Sequence, residues 1–177
     1  MKFIRDGNIY LLGFMGSGKS TIGPLLAKKL NLAFFDTDEF IENKTAKSIS
    51  QIFIEEGENS FREQERWCID LASQMTQFVI AVGGGAILSS DNWIKIYNSG
   101  ITIYLKCPFK VIWDRIKNCD TRPLLSMNVN DRYRQVKDLL TSRAPFYERA
   151  DVLFDCMDGE SPASVVNRLV ERLEGFL

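Results

Sequence analysis

The feature that most constrains this chain is an eight-residue run near its start, Gly13-Phe14-Met15-Gly16-Ser17-Gly18-Lys19-Ser20. It has the form G-x-x-x-x-G-K-S, it ends an apolar stretch (Asn8–Phe14), and a helical pattern follows it. A strand that turns through glycines into a helix brings several backbone N–H groups to the helix N-terminus, where the dipole favours an anion. In that setting the run predicts a phosphate-binding loop. Lys19 would neutralise the β- and γ-phosphates of a nucleoside triphosphate, and the Ser20 hydroxyl would ligate Mg²⁺. Gly13, Gly16, Ser17, Gly18, Lys19, Ser20 and Thr21 are thus the expected ATP-binding set.

The rest of the chain repeats the strand-then-helix pattern that such a loop requires. Ala33–Asp36, Phe78–Val82, Ile101–Lys106 and Val152–Asp155 are short runs rich in branched and aromatic residues, separated by amphipathic segments. Strands joined through helices predict a parallel sheet covered on both faces. Ser60 and Glu63 have capping-box spacing for one helix. Ser161-Pro162 should open the last one, and Gly100 should stop the Trp93–Asn98 helix. Pro24 interrupts the helix after the loop and puts its geometry in question. With 177 residues, no linker and no repeat, the expectation is one domain spanning 1–177. Two segments depart from core character. Thr37–Gly57 is polar and helical, and about 37–66 reads as a substrate-binding segment. Asp120–Asp131 carries Arg-Pro and a run of Asn and Asp, so about 119–131 reads either as a solvated loop or as a lid.

Composition removes several functional classes. Twenty-two basic against 23 acidic residues give a net charge of −1, which argues against a nucleic-acid or anionic-membrane partner. Histidine is absent, and Cys68, Cys107, Cys119 and Cys156 are scattered, so a zinc site is not expected. They read as reduced thiols of a cytoplasmic protein. The charged N-terminus does not resemble a signal peptide, and no stretch has the roughly 20 apolar residues that span a bilayer.

A phosphate loop needs an acid near its metal, and the end of a neighbouring strand is the usual place. Phe78–Val82 runs into Gly83-Gly84-Gly85 and offers none, whereas Ala33–Asp36 leads into Asp36-Thr37-Asp38. Side chains two apart on an extended segment share a side, so Asp36 is assigned to Mg²⁺ and Asp38 to an acceptor. The alternative is that the pair caps a helix over Glu39–Asn43. Arg62, Arg122 and Arg143 each sit beside a conformational marker. Alone, each fits a surface or salt-bridged arginine; beside a phosphate loop, each fits stabilisation of transferring charge. Gly83–Gly85 at a strand's carboxyl end would let backbone approach a ligand.

Taken in order, GFMGSGKST, DTD, FREQE, GGG, RPLL and RAPFYERA resemble the shikimate kinase family across essentially the whole chain. The resemblance implies a three-layer α/β/α fold with a five-stranded parallel sheet of nucleoside-monophosphate-kinase type. It implies transfer of the γ-phosphoryl of MgATP to the 3-hydroxyl of shikimate. A monomer is the working expectation, although the sequence itself does not reveal the oligomeric state. It places Asp38, Arg62, Arg143 and the Gly83, Gly84 and Gly85 backbone on shikimate, with Glu65 orienting Arg62. Arg122 would reach the phosphates from the lid, making Lys19, Asp38 and Arg122 the catalytic group. Arg115 would stack on adenine, opposite a wall near Asp158–Pro162. The residues agree with such a substrate, since a carboxylate with three hydroxyls suits arginine forks at one end and an acceptor carboxylate at the other. A kinase for another polyol acid such as gluconate, or for a nucleotide, is the nearest rival. A regulatory nucleotide-binding module is the rival from another class.

Overall fold

A computed structural model of the chain describes residues 7–117 and 129–175. The runs that read as strands form one sheet: β1 (Asn8–Leu12), β2 (Ala33–Asp36), β3 (Phe78–Ala81), β4 (Gly100–Lys106) and β5 (Val152–Asp155). All pairings are parallel, in the order β2-β3-β1-β4-β5. β1 lies at the centre and every one of its residues is buried, which explains why it reads as a continuous apolar run and not as an alternation.

Eight helices among the described residues cover the sheet. They are α1 (Lys19–Leu30), α2 (Thr37–Thr45), α3 (Ile49–Glu55), α4 (Gly57–Ser73), α5 (Ser90–Ser99), α6 (Phe109–Ile116), α7 (Val129–Tyr147) and α8 (Pro162–Leu173). Alternate residues of β1 divide the core. Ile9 and Leu11 pack against Ile22 and Leu26 of α1 and Val166 and Leu169 of α8. Tyr10 and Leu12 pack against Ile69 of α4, Ile96 of α5, Ile112 of α6 and Tyr147 of α7. The result is the three-layer α/β/α arrangement. A third cluster, Ile41, Ile52, Phe61 and Cys68, ties α2 and α3 to α4.

Some local expectations hold and others change. Ser161 caps α8 by accepting from the Ser164 amide at 3.2 Å, with Pro162 in the first turn. Pro24 is exposed inside α1, which nevertheless runs on to Leu30. Gly100 follows the last residue of α5, but its φ of 178° is extended, and it opens β4 where a side chain would strike the Asn8 carbonyl. The Ser60–Glu63 capping box does not form. α4 begins at Gly57, so Ser60 lies within its first turn and donates to Glu56 at 2.7 Å. The box that forms is Ser48 with Gln51, opening α3. Of the segment about 119–131, only 129–131 is described, as the start of α7; Arg122 and Cys119 lie outside the described residues.

Candidate active site

The loops at the carboxyl ends of the five strands surround one cleft of about 970 Å³, in the position where parallel sheets bind ligands. The phosphate loop forms its floor. Gly13, Gly16 and Gly18 have φ of 150°, 77° and 97°, a region that other residues enter at a cost. This conformation lets Lys19 fold back over the loop, donating to the carbonyls of Gly13 at 2.8 Å and Phe14 at 3.1 Å. The buried Ser17 hydroxyl has no hydrogen-bond partner within the protein, an orphan suited to an oxyanion. Arg115 crosses above, donating to the Gly16 carbonyl at 2.9 Å, and Met157, Glu160 and Pro162 stand along the same end of the cleft.

Asp36 and Asp38 both line the cleft, though not by the expected route. The chain is extended only up to Asp36; Asp38 is already in α2, so the two carboxylates reach the cleft from different backbone conformations. Asp36 is the N-cap of α2, accepting from the amides of Asp38 at 3.0 Å and Glu39 at 3.4 Å. Its second oxygen accepts from the Ser20 hydroxyl at 2.6 Å. Capping and a metal role are thus compatible. A hydroxyl and a carboxylate oxygen held together beside a phosphate loop suit Mg²⁺, which is bound by one or two protein oxygens plus phosphates and water. No group of three or more His, Cys, Asp or Glu residues that could hold an ion occurs among the described residues.

The opposite end of the cleft is built around Glu65, which is only 2% exposed. One of its oxygens accepts from Arg62 Nη1 at 2.9 Å, and the other has no hydrogen-bond partner. Burial pushes the Glu65 carboxyl up to about 7, against the pull of Arg62 and Arg143 and with the help of the Asp38 charge. Burial also opposes the charge on Arg62, but Glu65 and Glu58 outweigh it and hold the guanidinium above its ordinary value. Arg143 enters from α7, and its buried Nε has no partner. All these groups close on the turn Gly83–Gly85. A Cβ on Gly83 would lie 2.5 Å from Asp38 Oδ1, and one on Gly85 would lie 2.5 Å from Arg62 Nη1. Only glycine leaves both side chains in place.

The turn itself is held from two sides. The Gly83 amide donates to the Thr37 hydroxyl at 2.9 Å, and the Tyr147 hydroxyl donates to the Gly84 carbonyl at 2.6 Å. Burial pushes the Tyr147 hydroxyl up to about 12, so it remains a donor. Neither residue stood out in the sequence as part of the site. Tyr147 lies four residues after Arg143, one helical turn on, and that spacing was the available signal.

A phosphate loop facing a pocket of two arginines with the carboxyls of Asp38 and Glu65, on a parallel α/β/α sheet, defines a P-loop phosphotransferase with a small acceptor. The family model described as shikimate kinase matches residues 15–174. A shikimate kinase of Nostoc punctiforme is 39% identical over 174 residues, covering 98% of this chain and 94% of that protein. The solved structure of shikimate kinase from Acinetobacter baumannii in complex with shikimate superposes with a TM-score of 0.91 at 32% identity, covering 98% of this chain and 96% of the other. A deoxyadenosine kinase from M. mycoides, 17% identical with a TM-score of 0.59, covers 96% of this chain and 100% of its own and shares the fold alone. The chain belongs to the shikimate kinase family.

Proposed function

We propose that the chain transfers the γ-phosphoryl group of ATP to the 3-hydroxyl of shikimate, giving shikimate 3-phosphate and ADP. The observation that carries this reading is the meeting of two pockets in one cleft. Lys19 and the phosphate loop lie at one side; Asp38, Arg62 and Arg143 lie over Gly83–Gly85 at the other. Ser20 and Asp36 would hold Mg²⁺, which would offset the charge of the ATP phosphates. Arg62, steered by Glu65, and Arg143 form the fork for the substrate carboxylate. Asp38 orients the attacking hydroxyl and takes its proton. Little proton removal is needed before a loose transition state, so its positioning role dominates. Lys19 carries charge developing on the transferred group. Arg115 is assigned to adenine, and Arg122 to the phosphates on the family resemblance alone. A net charge of −1 supports a chain working without nucleic acid or an anionic membrane surface; that it works as a cytoplasmic monomer is part of the same proposal. Among the described residues no helix is long and apolar enough to cross a membrane.

The test is ADP release with shikimate, quinate, gluconate and nucleoside monophosphates side by side, on the parent and on Arg62→Ala and Arg143→Ala. Truncating one partner of a desolvated charge pair costs about 2–5 kcal/mol. That is roughly a 30-fold to several-thousand-fold loss in kcat/KM for shikimate, with ATP binding near normal. The analogue whose carboxylate is reduced to an alcohol should lose much less on either substitution. Multiplicative losses from analogue and substitution would remove the arginines from the carboxylate. A preference for gluconate or a nucleotide, or no acceptor-dependent turnover at all, would remove the activity.

A further inference from the structure

Cys107 and Cys156 take part in no step of the reaction proposed above, yet both line its cleft, close to the phosphate loop. β4 and β5 are paired so that Lys106 lies opposite Asp155, and the next residue on each chain is a cysteine. The Cys156 amide donates to the Lys106 carbonyl at 3.0 Å, which carries the pairing one residue beyond β5. Neighbouring strands lie about 4.8 Å apart, within the roughly 4.4–6.8 Å between Cα atoms that a disulfide bridges. Both side chains pack against the same apolar cluster, and each thiol alters the other's ionisation. Both are free thiols, each following the last residue of its strand.

The two thiols are unequal. The Cys156 thiol, foremost, and then Arg115 and Lys19 hold Cys107 below its usual range, against the effect of burial. Cys107 and burial together push Cys156 up. Cys107 is therefore the better thiolate, and Cys156 stands where a resolving thiol must stand. The remaining described cysteine, Cys68, is buried and pushed up to about 12, which leaves it unreactive.

We propose that Cys107 and Cys156 are a reversible modification site, forming a disulfide when a hydroperoxide enters the nucleotide cleft, and that bound nucleotide blocks the reaction. The Cys107 thiolate attacks the peroxide oxygen, the O–O bond breaks, and hydroxide or alkoxide leaves. The Cys156 thiol then attacks the sulfur of the sulfenic acid and expels water. Two thiols are oxidised and one peroxide is reduced to water, or to water and an alcohol. The bond also removes the Cys107 S–H, which donates to the Ser17 carbonyl of the phosphate loop at 3.3 Å, so oxidation is felt in that loop. The blocking by nucleotide rests on the kinase reading above; the disulfide does not.

The experiment is hydrogen peroxide treatment with and without MgADP, then alkylation of remaining thiols, trypsin and mass spectrometry. A linked pair of peptides 107–110 and 150–168 is expected. It should vanish with dithiothreitol, be missing from Cys107→Ser and Cys156→Ser, and persist in Cys119→Ser. MgADP at about ten times its Kd should slow its formation roughly tenfold. Absence of this pair, a link to Cys119 instead, or direct passage of Cys107 to a sulfinic acid overturns the site. Calorimetry with MgADP separates the two readings. If ADP binds and the rate does not change, the blocking is wrong and the kinase reading stands. If ADP does not bind while the linked pair forms, the kinase reading fails and the disulfide stands.

Discussion

Glu65→Gln isolates the energetics of the buried carboxyl beneath Arg62. Glu65 is the only charged residue fully buried among those described, and desolvation raises its carboxyl from an ordinary 4.5 to about 7. A group whose pKa is higher in the folded protein than in the unfolded chain supports folding at pH below the unfolded value. It loses that support as pH rises through the folded value. With values of 4.5 and about 7, the loss between pH 5 and pH 8 integrates to about 2.5 kcal/mol. Glutamine keeps a side-chain oxygen for Arg62 Nη1 but cannot titrate. The unfolding free energy of the parent should therefore fall by about 2 kcal/mol more than that of Glu65→Gln over this interval. Urea titrations at pH 5, 6, 7 and 8, read from the fluorescence of Trp67, Trp93 and Trp113, measure the difference. Parallel stability curves for the two proteins would show that Glu65 is ionised throughout, with Arg62 and not burial controlling it.

Two further outcomes follow from the geometry. Lys19→Met should fold with a melting temperature close to the parent's and lose roughly a thousandfold or more in acceptor-dependent ADP release; activity within tenfold of the parent would take Lys19 out of the transfer step. Gly85→Ala places a methyl 2.5 Å from Arg62 Nη1, at the end of a side chain that can move away. Stability should change little while kcat/KM for the acceptor drops roughly a hundredfold and ATP binding holds; an unchanged acceptor KM would mean that Arg62 does not need its present position.

The sheet was legible because each strand is a short apolar run bounded by punctuation that local chemistry explains. β2 and β5 are found with the predicted limits, and β1 ends two residues early, where the phosphate loop starts. The loop was legible from eight consecutive residues. Asp36 and Asp38 were legible as a pair but not in conformation, because the N-cap of α2 falls between an extended residue and a helical one. Thr37 and Tyr147 carried no local mark. Their part is to hold a glycine turn 46 and 63 residues away in sequence, and no pattern within one element reports such a contact. The Cys107–Cys156 pairing was hidden in the same way, since only the register of β4 against β5 brings those residues together.

The acceptor pocket depends on where α4 starts, and there a local rule led the wrong way. A capping box at Ser60 would begin the helix at Phe61 and leave Arg62 in a frayed first turn, with Glu58 in the preceding loop. Beginning at Gly57, the helix instead places Glu58 four residues before Arg62 and Glu65 three residues after it, all on one face. Arg62 then donates to Glu58 at 3.0 Å and to Glu65 at 2.9 Å, and its guanidinium is fixed before any substrate arrives. The two carboxylates are not equivalent, because the Glu58 side chain is 63% exposed and that of Glu65 only 3%. The exposed partner is screened by water and contributes little. The buried one sets the direction of the fork, at the cost of holding a carboxyl where its ionisation is opposed. Tertiary packing of Phe61 against Ile41, Ile52 and Cys68 fixes that helix phase. The chemistry of the pocket is thus decided by the apolar contacts of Phe61, which lines the same cleft beside Arg62.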